Sequence, residues 1–248
     1  MISGLLANFS PSAAFDLFRS IFAEKRCPVC RAPHAAASLI CEECSGDILE
    51  KADNSCILCG INIFTTENKK RLCADCIEDS PLHKRLYYYG PYDGLLRRLI
   101  LDWKFGNSFG YGSVLSQLAV VTAQEIPKES HPDIIIPVPL HPSRLRKRGF
   151  NQSIVLGKSI AKALGTKFSD RALVRVRKTT PQTELSKNER AENMAKAFIA
   201  DSSIIADKKI LLIDDVYTTG ATSRECTRTL YKAGAQRIEV LVLAKPLI

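Results

Sequence analysis

The stretch Ile210-Leu211-Leu212-Ile213-Asp214-Asp215-Val216-Tyr217-Thr218-Thr219-Gly220-Ala221-Thr222 decides the fold. Its four leading apolar residues read as a short strand buried on both faces, the pattern of a parallel sheet. That strand ends in two adjacent carboxylates. A Thr-Thr-Gly-x-Thr loop then runs into a helix over residues 222–232, closed by Gly234. The helix N-terminus offers backbone N–H groups and the positive end of its dipole to an anion. Thr218, Thr219 and Thr222 add hydroxyl donors, and Gly220 permits close approach. Carboxylates repel phosphate, so Asp214 and Asp215 need another target: sugar hydroxyls or a hydrated Mg²⁺. A phosphate cradle beside acceptors for a sugar diol describes a ribose 5-phosphate. The plainer alternative is a strand-to-helix turn capped by threonine.

Outward from this loop, strands alternate with helices. Tyr87-Tyr88-Tyr89 reads as a strand, and residues 95–105 and 114–126 as helices. Ile134-Ile135-Ile136-Pro137-Val138-Pro139 is a second buried strand, residues 151–164 form a helix ending at Gly165, and residues 238–244 make a last strand. Strand, crossover helix and strand predict an open, mostly parallel α/β sheet with helices on both faces. Ligands of such sheets bind beyond the carboxyl ends of the strands.

The N-terminal third is different. Eight of the nine cysteines form four Cys-x-x-Cys pairs: Cys27/Cys30, Cys41/Cys44, Cys56/Cys59 and Cys73/Cys76. Two such pairs close a tetrahedron of thiolates around Zn²⁺ with no open position, so two structural zinc ions in tandem ribbons are expected. Pairing neighbours in sequence is the simplest partition, and interleaved pairing is open. Four disulfides or an iron–sulfur cluster would use the same cysteines. Cys226 has no partner in sequence and reads as a small apolar residue on a helix. Residues 9–22 have the spacing of a short amphipathic helix. The expected organisation is an N-terminal helical segment (1–26), a double zinc-ribbon module (27–80) and an α/β domain (81–248).

The chain has 248 residues, 46% of them apolar, which excludes disorder and low-complexity repeats. No apolar run is long enough for a membrane span, and no export signal is evident, so a cytoplasmic location is expected. The net charge of +9 is unevenly spread. Residues 1–85 hold 10 Lys/Arg against 11 Asp/Glu, and residues 86–248 hold 25 against 15. The basic excess therefore belongs to the α/β part and suits polyanions, whether nucleic acids or phosphorylated small molecules.

The loop from Asp214 to Thr222 resembles the 5-phosphoribosyl-1-pyrophosphate (PRPP) loop of type I phosphoribosyltransferases. With the cysteine module in front, the chain resembles the ComF family of competence-associated proteins. The residues carrying that likeness are the tandem cysteine pairs, Trp103-Lys104-Phe105-Gly106, and Pro137-Val138-Pro139-Leu140-His141-Pro142. The run ending Arg148-Gly149-Phe150-Asn151-Gln152, Thr180-Pro181-Gln182-Thr183, Arg190 and Asn193 extend it. The resemblance implies a type I phosphoribosyltransferase-like sheet binding PRPP with Mg²⁺. Asp214 and Asp215 would hold the ribose hydroxyls, and Thr218, Thr219, Gly220 and Thr222 the 5′-phosphate. Pro139, Leu140, His141, Arg144 and Arg148 would lie at the pyrophosphate loop, and Lys178 and Gln182 at a mobile lid. It also implies a role in natural transformation, handling incoming single-stranded DNA, with a helicase-like protein as a candidate partner.

Arg144, Arg146, Lys147 and Arg148 place four cations in five positions before Phe150. They suit pyrophosphate or a DNA backbone, a reading favoured by their place after the strand at residues 134–139, and the plainer alternative is a solvated helix face with Phe150 in the core. No residue stands out as a general base, and the acceptor of a phosphoribosyl transfer is not identified. Two functions remain: a phosphoribosyltransferase, or a non-catalytic DNA-uptake adaptor that uses the PRPP site only to sense ligand.

Overall fold

The computed structural model describes residues 25–34, 39–52, 54–63, 71–106, 110–176 and 197–246. The helix expected over residues 9–22 and the lid segment with Lys178 and Gln182 lie outside them. Two compact units divide the chain, Met1–Ser45 and Gly46–Ile248.

In the first unit, β1 (Lys25–Arg26) pairs antiparallel with β2 (Pro33–His34). The turn between them carries Cys27 and Cys30. Its backbone is closed by Cys27 N–H donating to Ala32 O (2.8 Å) and Arg31 N–H to Cys27 O (2.9 Å). Cys41 directly precedes α1 (Glu42–Gly46), on which Cys44 lies. The second unit opens with the same turn in another place. Cys56 N–H donates to Ile61 O (2.8 Å) and Gly60 N–H to Cys56 O (2.8 Å). The residue four past the first cysteine is left-handed in both turns, Arg31 at φ 68° and Gly60 at φ 74°. Cys73 stands at the start of α2 (Ala74–Glu78), which holds Cys76.

The rest of the second unit follows as β3 (Leu86–Pro91), α3 (Gly94–Phe105), α4 (Tyr111–Ala123), β4 (Ile134–Pro137), α5 (Pro142–Arg148) and α6 (Gln152–Leu164). Then come β5 (Lys167–Phe168), β6 (Leu173–Arg175), β7 (Phe198–Ala200), α7 (Ser202–Ile205), β8 (Lys209–Ile213), α8 (Ala221–Lys232) and β9 (Arg237–Lys245). Five strands make one sheet in the order β3-β9-β8-β4-β5, every neighbour parallel. Ile134 lies opposite Ile210 and Pro137 opposite Ile213, while Ile213 lies opposite Leu241. From β4 the chain moves outward to β5, and from β8 outward to β9 on the other side. The strand order therefore reverses between β4 and β8, and a crevice opens there at the carboxyl ends of the strands.

The inner strands β4, β8 and β9 bury both faces, which is why their sequences are almost continuously apolar. Ile134, Ile136, Ile210, Leu212, Val240 and Val242 pack with Cys226 and Leu230 of α8, together with Ile205 and Phe198. The alternate residues Ile135, Leu211 and Leu241 are also fully buried. On their side, Gly157 lets α6 settle close: a Cβ there would lie 2.8 Å from the Phe168 ring and 3.6 Å from Ile135. The antiparallel pair β6–β7 stands apart from the main sheet. The short elements β5, β6, β7, α5 and α7 are not legible from sequence periodicity, because two or three strand residues or one or two helical turns carry too little pattern.

Candidate functional site

The site is assembled at the end of β8. Val138 N–H donates to Ile213 O (2.8 Å), so the segment leaving β4 runs beside Asp214. Asp215 O accepts from Leu243 N (3.0 Å), and Tyr217 N–H donates to Ala244 O (3.0 Å), which ties the following loop to β9. Gly220 then enters α8 at φ 73°. A Cβ at that position would lie 2.3 Å from Tyr217 Oη, so only glycine fits both the turn and its neighbour. Thr218 and Thr219 are exposed at the tip, and Thr222 is half-buried in the first turn of α8.

The two carboxylates have different surroundings. Asp214 Oδ1 accepts from Ser153 Oγ (3.3 Å) and from the Asp215 amide (2.9 Å). Burial first, and then the charge of Asp215, push the Asp214 carboxyl up to about 7. The Asp215 amide, Lys104 and Ser153 oppose that rise. Asp215 pairs with Lys104, Oδ1 to Nζ 2.8 Å, with the two side chains 14% and 12% exposed. Lys104 thus reaches the site from the last turn of α3. Ser153 is positioned by Asn151, which caps α6. Its Oδ1 accepts from Ser153 N (3.0 Å), while its Nδ2 donates to Val138 O (3.0 Å).

Cations line the other side. His141 caps α5, its Nδ1 accepting from Ser143 N (3.2 Å), so this histidine serves the turn. Pro139 and Leu140 are half-buried in the same loop. Burial and the charge of Arg148 both lower the pKa of Arg144. Arg175, on β6, is 8% exposed. Burial and then Arg144 lower its pKa, against Cys226 and Asp214, which raise it. No ion pair joins Arg144 or Arg148 to a carboxylate among the described residues. Arg148 acts on Arg144 and Arg144 on Arg175, so the three like charges lie close enough to oppose one another.

The cysteines gather in two sets, Cys27/Cys30/Cys41/Cys44 and Cys56/Cys59/Cys73/Cys76, each with its sulfurs within 4.8 Å of one another. Neighbours in sequence therefore share a site, and interleaved pairing is excluded. Cys30 and Cys41 sulfurs are 3.6 Å apart, and Cys59 and Cys73 sulfurs 3.5 Å. A tetrahedron with Zn–S bonds of about 2.3 Å needs edges of about 3.8 Å, so the donor sets fit the ion. Their acid–base chemistry agrees. The Cys59 thiol, acting against burial, brings Cys56 down to about 4. Burial and the charge of Cys56 push Cys76 up to about 12. In the first set burial opposes ionisation of Cys27, yet the backbone N–H groups of Cys30 and Cys41 bring it to about 6, while burial raises Cys44. One thiolate forms in each set and suppresses others, a conflict that a bound dication removes.

The second set is built into the α/β unit. Tyr88 Oη donates to Gly60 O (3.0 Å), and Leu86 N–H to Ile57 O (2.8 Å). His83 Nε2 meets Leu58 O at 2.7 Å, and its ring stands edge-on to Tyr217 at 5.8 Å. Burial lowers the His83 pKa to about 4, so the ring is neutral at pH 7. Arg224 of α8 grips Asp79 with both nitrogens, at 2.9 and 3.0 Å. The cysteine turn thus rests against the loop that follows Asp215.

Two family descriptions match the chain: Phosphoribosyl transferase domain over residues 151–247, and Double zinc ribbon domain over residues 17–77. Competence protein F of Haemophilus influenzae is 30% identical over 227 residues, covering 89% of this chain and 96% of that protein. The chain belongs to the ComF family. DNA utilization protein YhgH of Escherichia coli K12 is 31% identical over 226 residues, covering 89% of this chain and 97% of that one. Competence protein ComFC of Streptococcus pneumoniae is 26% identical over 212 residues, covering 84% and 88%.

In this ComF chain, one contributor to the site, Ser153, is not legible from the sequence, because its role depends on the Asn151 cap. Arg175, a cation flanking the lid segment, and Lys104, which follows Trp103, are legible as candidates for a ligand. Their partners are not, because the Lys104–Asp215 pair joins residues far apart in the chain. No helix among the described residues is long and apolar enough to cross a membrane.

Proposed function

We propose that the crevice between β4 and β8 binds PRPP with Mg²⁺, and that the protein uses this site while handling incoming single-stranded DNA during natural transformation in the cytoplasm. The observation that carries this reading is the pair Asp214/Asp215 at the end of β8, with Arg144, Arg148 and Arg175 nearby and the glycine-gated start of α8 beyond. Ribose hydroxyls would donate to the two carboxylates. The N-terminal amides of α8, with the hydroxyls of Thr218, Thr219 and Thr222, would receive the 5′-phosphate. The arginines suit the pyrophosphate. Mg²⁺, when bound, supplies charge neutralisation for the leaving pyrophosphate, and Asp215 is placed to share it once Lys104 moves aside. Relatives are named for competence and DNA utilization, which supports the DNA-handling part.

Calorimetric titration of the zinc-loaded protein with PRPP and Mg²⁺, with Asp214→Ala as control, tests the site. Binding that disappears in the variant supports it, and absence of binding by the wild type overturns it. A second reading, a non-catalytic adaptor with a helicase-like partner, is favoured by one feature. Lys104 occupies Asp215, and no described side chain beside the carboxylates stands ready as a dedicated base, which suits ligand sensing as well as turnover. Pyrophosphate release in the presence of candidate acceptors separates the two.

A further inference from the structure

A cavity of about 710 Å³ lies among α3, α4 and α6, and neither Asp214 nor Asp215 is among its lining residues. Trp103, Phe150, Arg148, Ser113, Ser116 and Ser159 line it. Trp103 is the single tryptophan of the chain. It is 3% exposed, and its ring lies 5.5 Å from Phe150 at an angle of 47°. Gly112 packs close against the edge of that indole, since a Cβ there would lie 3.0 Å from Trp103 Nε1. At the mouth, Arg148 stacks over Phe105, guanidinium to ring 4.9 Å, and Phe105 is 70% exposed. Arg144, Arg146 and Lys147 continue the cationic surface along α5, a helix with no acidic residue.

These features belong together chemically. A tilted aromatic pair and serine hydroxyls on the wall suit a planar heteroaromatic ring with polar rim atoms. An exposed phenylalanine stacked by a guanidinium is a second platform for such a ring. The cations of α5 suit a chain of phosphates, and they disfavour a basic or purely apolar partner. We propose that this cavity and its Phe105 ledge take unpaired bases of single-stranded DNA, with the phosphates running along α5. The proposal rests on the DNA-handling part of the function above and adds the place where the strand is held. It shares Arg144 and Arg148 with the pyrophosphate side of the PRPP site and uses neither Asp214 nor Asp215.

Because Trp103 is the only tryptophan, its fluorescence reports on the cavity directly. The full-length, zinc-loaded protein is titrated at low salt with oligothymidylate, with an abasic deoxyribose-phosphate oligomer of equal length, and with dTMP. Binding of the two labelled oligomers is followed in parallel by anisotropy. Oligothymidylate is expected to quench Trp103 emission. The abasic oligomer is expected to bind roughly tenfold more weakly without quenching, and dTMP at equal nucleotide concentration to leave the emission unchanged. Phe105→Ala, at an exposed position, is expected to weaken oligothymidylate binding roughly tenfold with an unaltered thermal melt. Arg148→Gln is expected to flatten the salt dependence by about one phosphate contact. Oligothymidylate that binds with unchanged Trp103 emission and equal affinity for Phe105→Ala overturns the site while leaving the DNA reading standing. Failure of the wild type to bind any oligomer overturns both. Quenching by dTMP as strong as by the oligomer overturns the single strand as occupant and makes the cavity a mononucleotide site.

Discussion

Asp214→Asn is expected to stabilise the protein while destroying its ligand site, and the structure gives the size and the pH window of the effect. The substitution removes a charge but keeps an oxygen that can accept from Ser153 Oγ and the Asp215 amide, now at 3.3 and 2.9 Å. Burial, then the neighbouring charge of Asp215, raises the Asp214 carboxyl from 3.8 to about 7. A raised acid is the reverse of a salt-bridged one. Between pH 4 and 7 the unfolded chain has released a proton that the native state still holds, so native stability falls as pH rises through that window. The loss is complete above about pH 7 and amounts to roughly 4 kcal/mol at most, from the separation of the two pKa values. For a unit of this size, each kcal/mol moves Tm by about 2–4 °C, so the variant should melt higher at pH 8 by up to about 16 °C. At pH 5 the gap should shrink to less than half. Calorimetric melts of both zinc-loaded proteins at the two pH values check this, and protonation of the cysteines cancels in the comparison. A variant that melts lower than wild type at pH 8, or a gap that does not change with pH, refutes the assignment of a buried, charge-crowded carboxyl.

Other outcomes follow from the same geometry. Lys104→Met leaves Asp215 without its cation beside Asp214. It should lower stability at pH 8 by up to about 3 kcal/mol and widen the pH dependence above, as read in the same melts. Gly220→Ala places a side chain at φ 73° and against Tyr217 Oη. Its backbone strain alone is about 1–2 kcal/mol, and PRPP affinity by calorimetry should fall at least tenfold because the loop must shift. Cys76→Ser should reduce bound zinc from two equivalents to one by metal analysis. Hydrogen exchange of the peptide covering 214–224 should then rise, since His83, Leu58 and Asp79 support that loop from the cysteine turn.

The sequence by itself determined the chemistry of the parts. Four apolar residues followed by Asp214 and Asp215 make a buried strand end with two carboxylates, and Thr-Thr-Gly-x-Thr makes an anion-binding helix start. Both are properties of neighbouring residues, so local physics suffices to read them. Four Cys-x-x-Cys pairs announce two metal sites for the same reason. Tertiary structure alone decided which groups act on one another. It brings Lys104, 111 positions earlier in the chain, onto Asp215. It sets Ser153 on Asp214, seats the second cysteine turn under Tyr217, and encloses Trp103 and Phe150 around a cavity. Such pairings depend on how strands order and helices pack, and a side chain carries no record of partners that reach it through space. The protonation of Asp214 is the clearest case. An aspartate is ordinarily charged at pH 7, and only burial next to a second carboxylate holds this one near its midpoint.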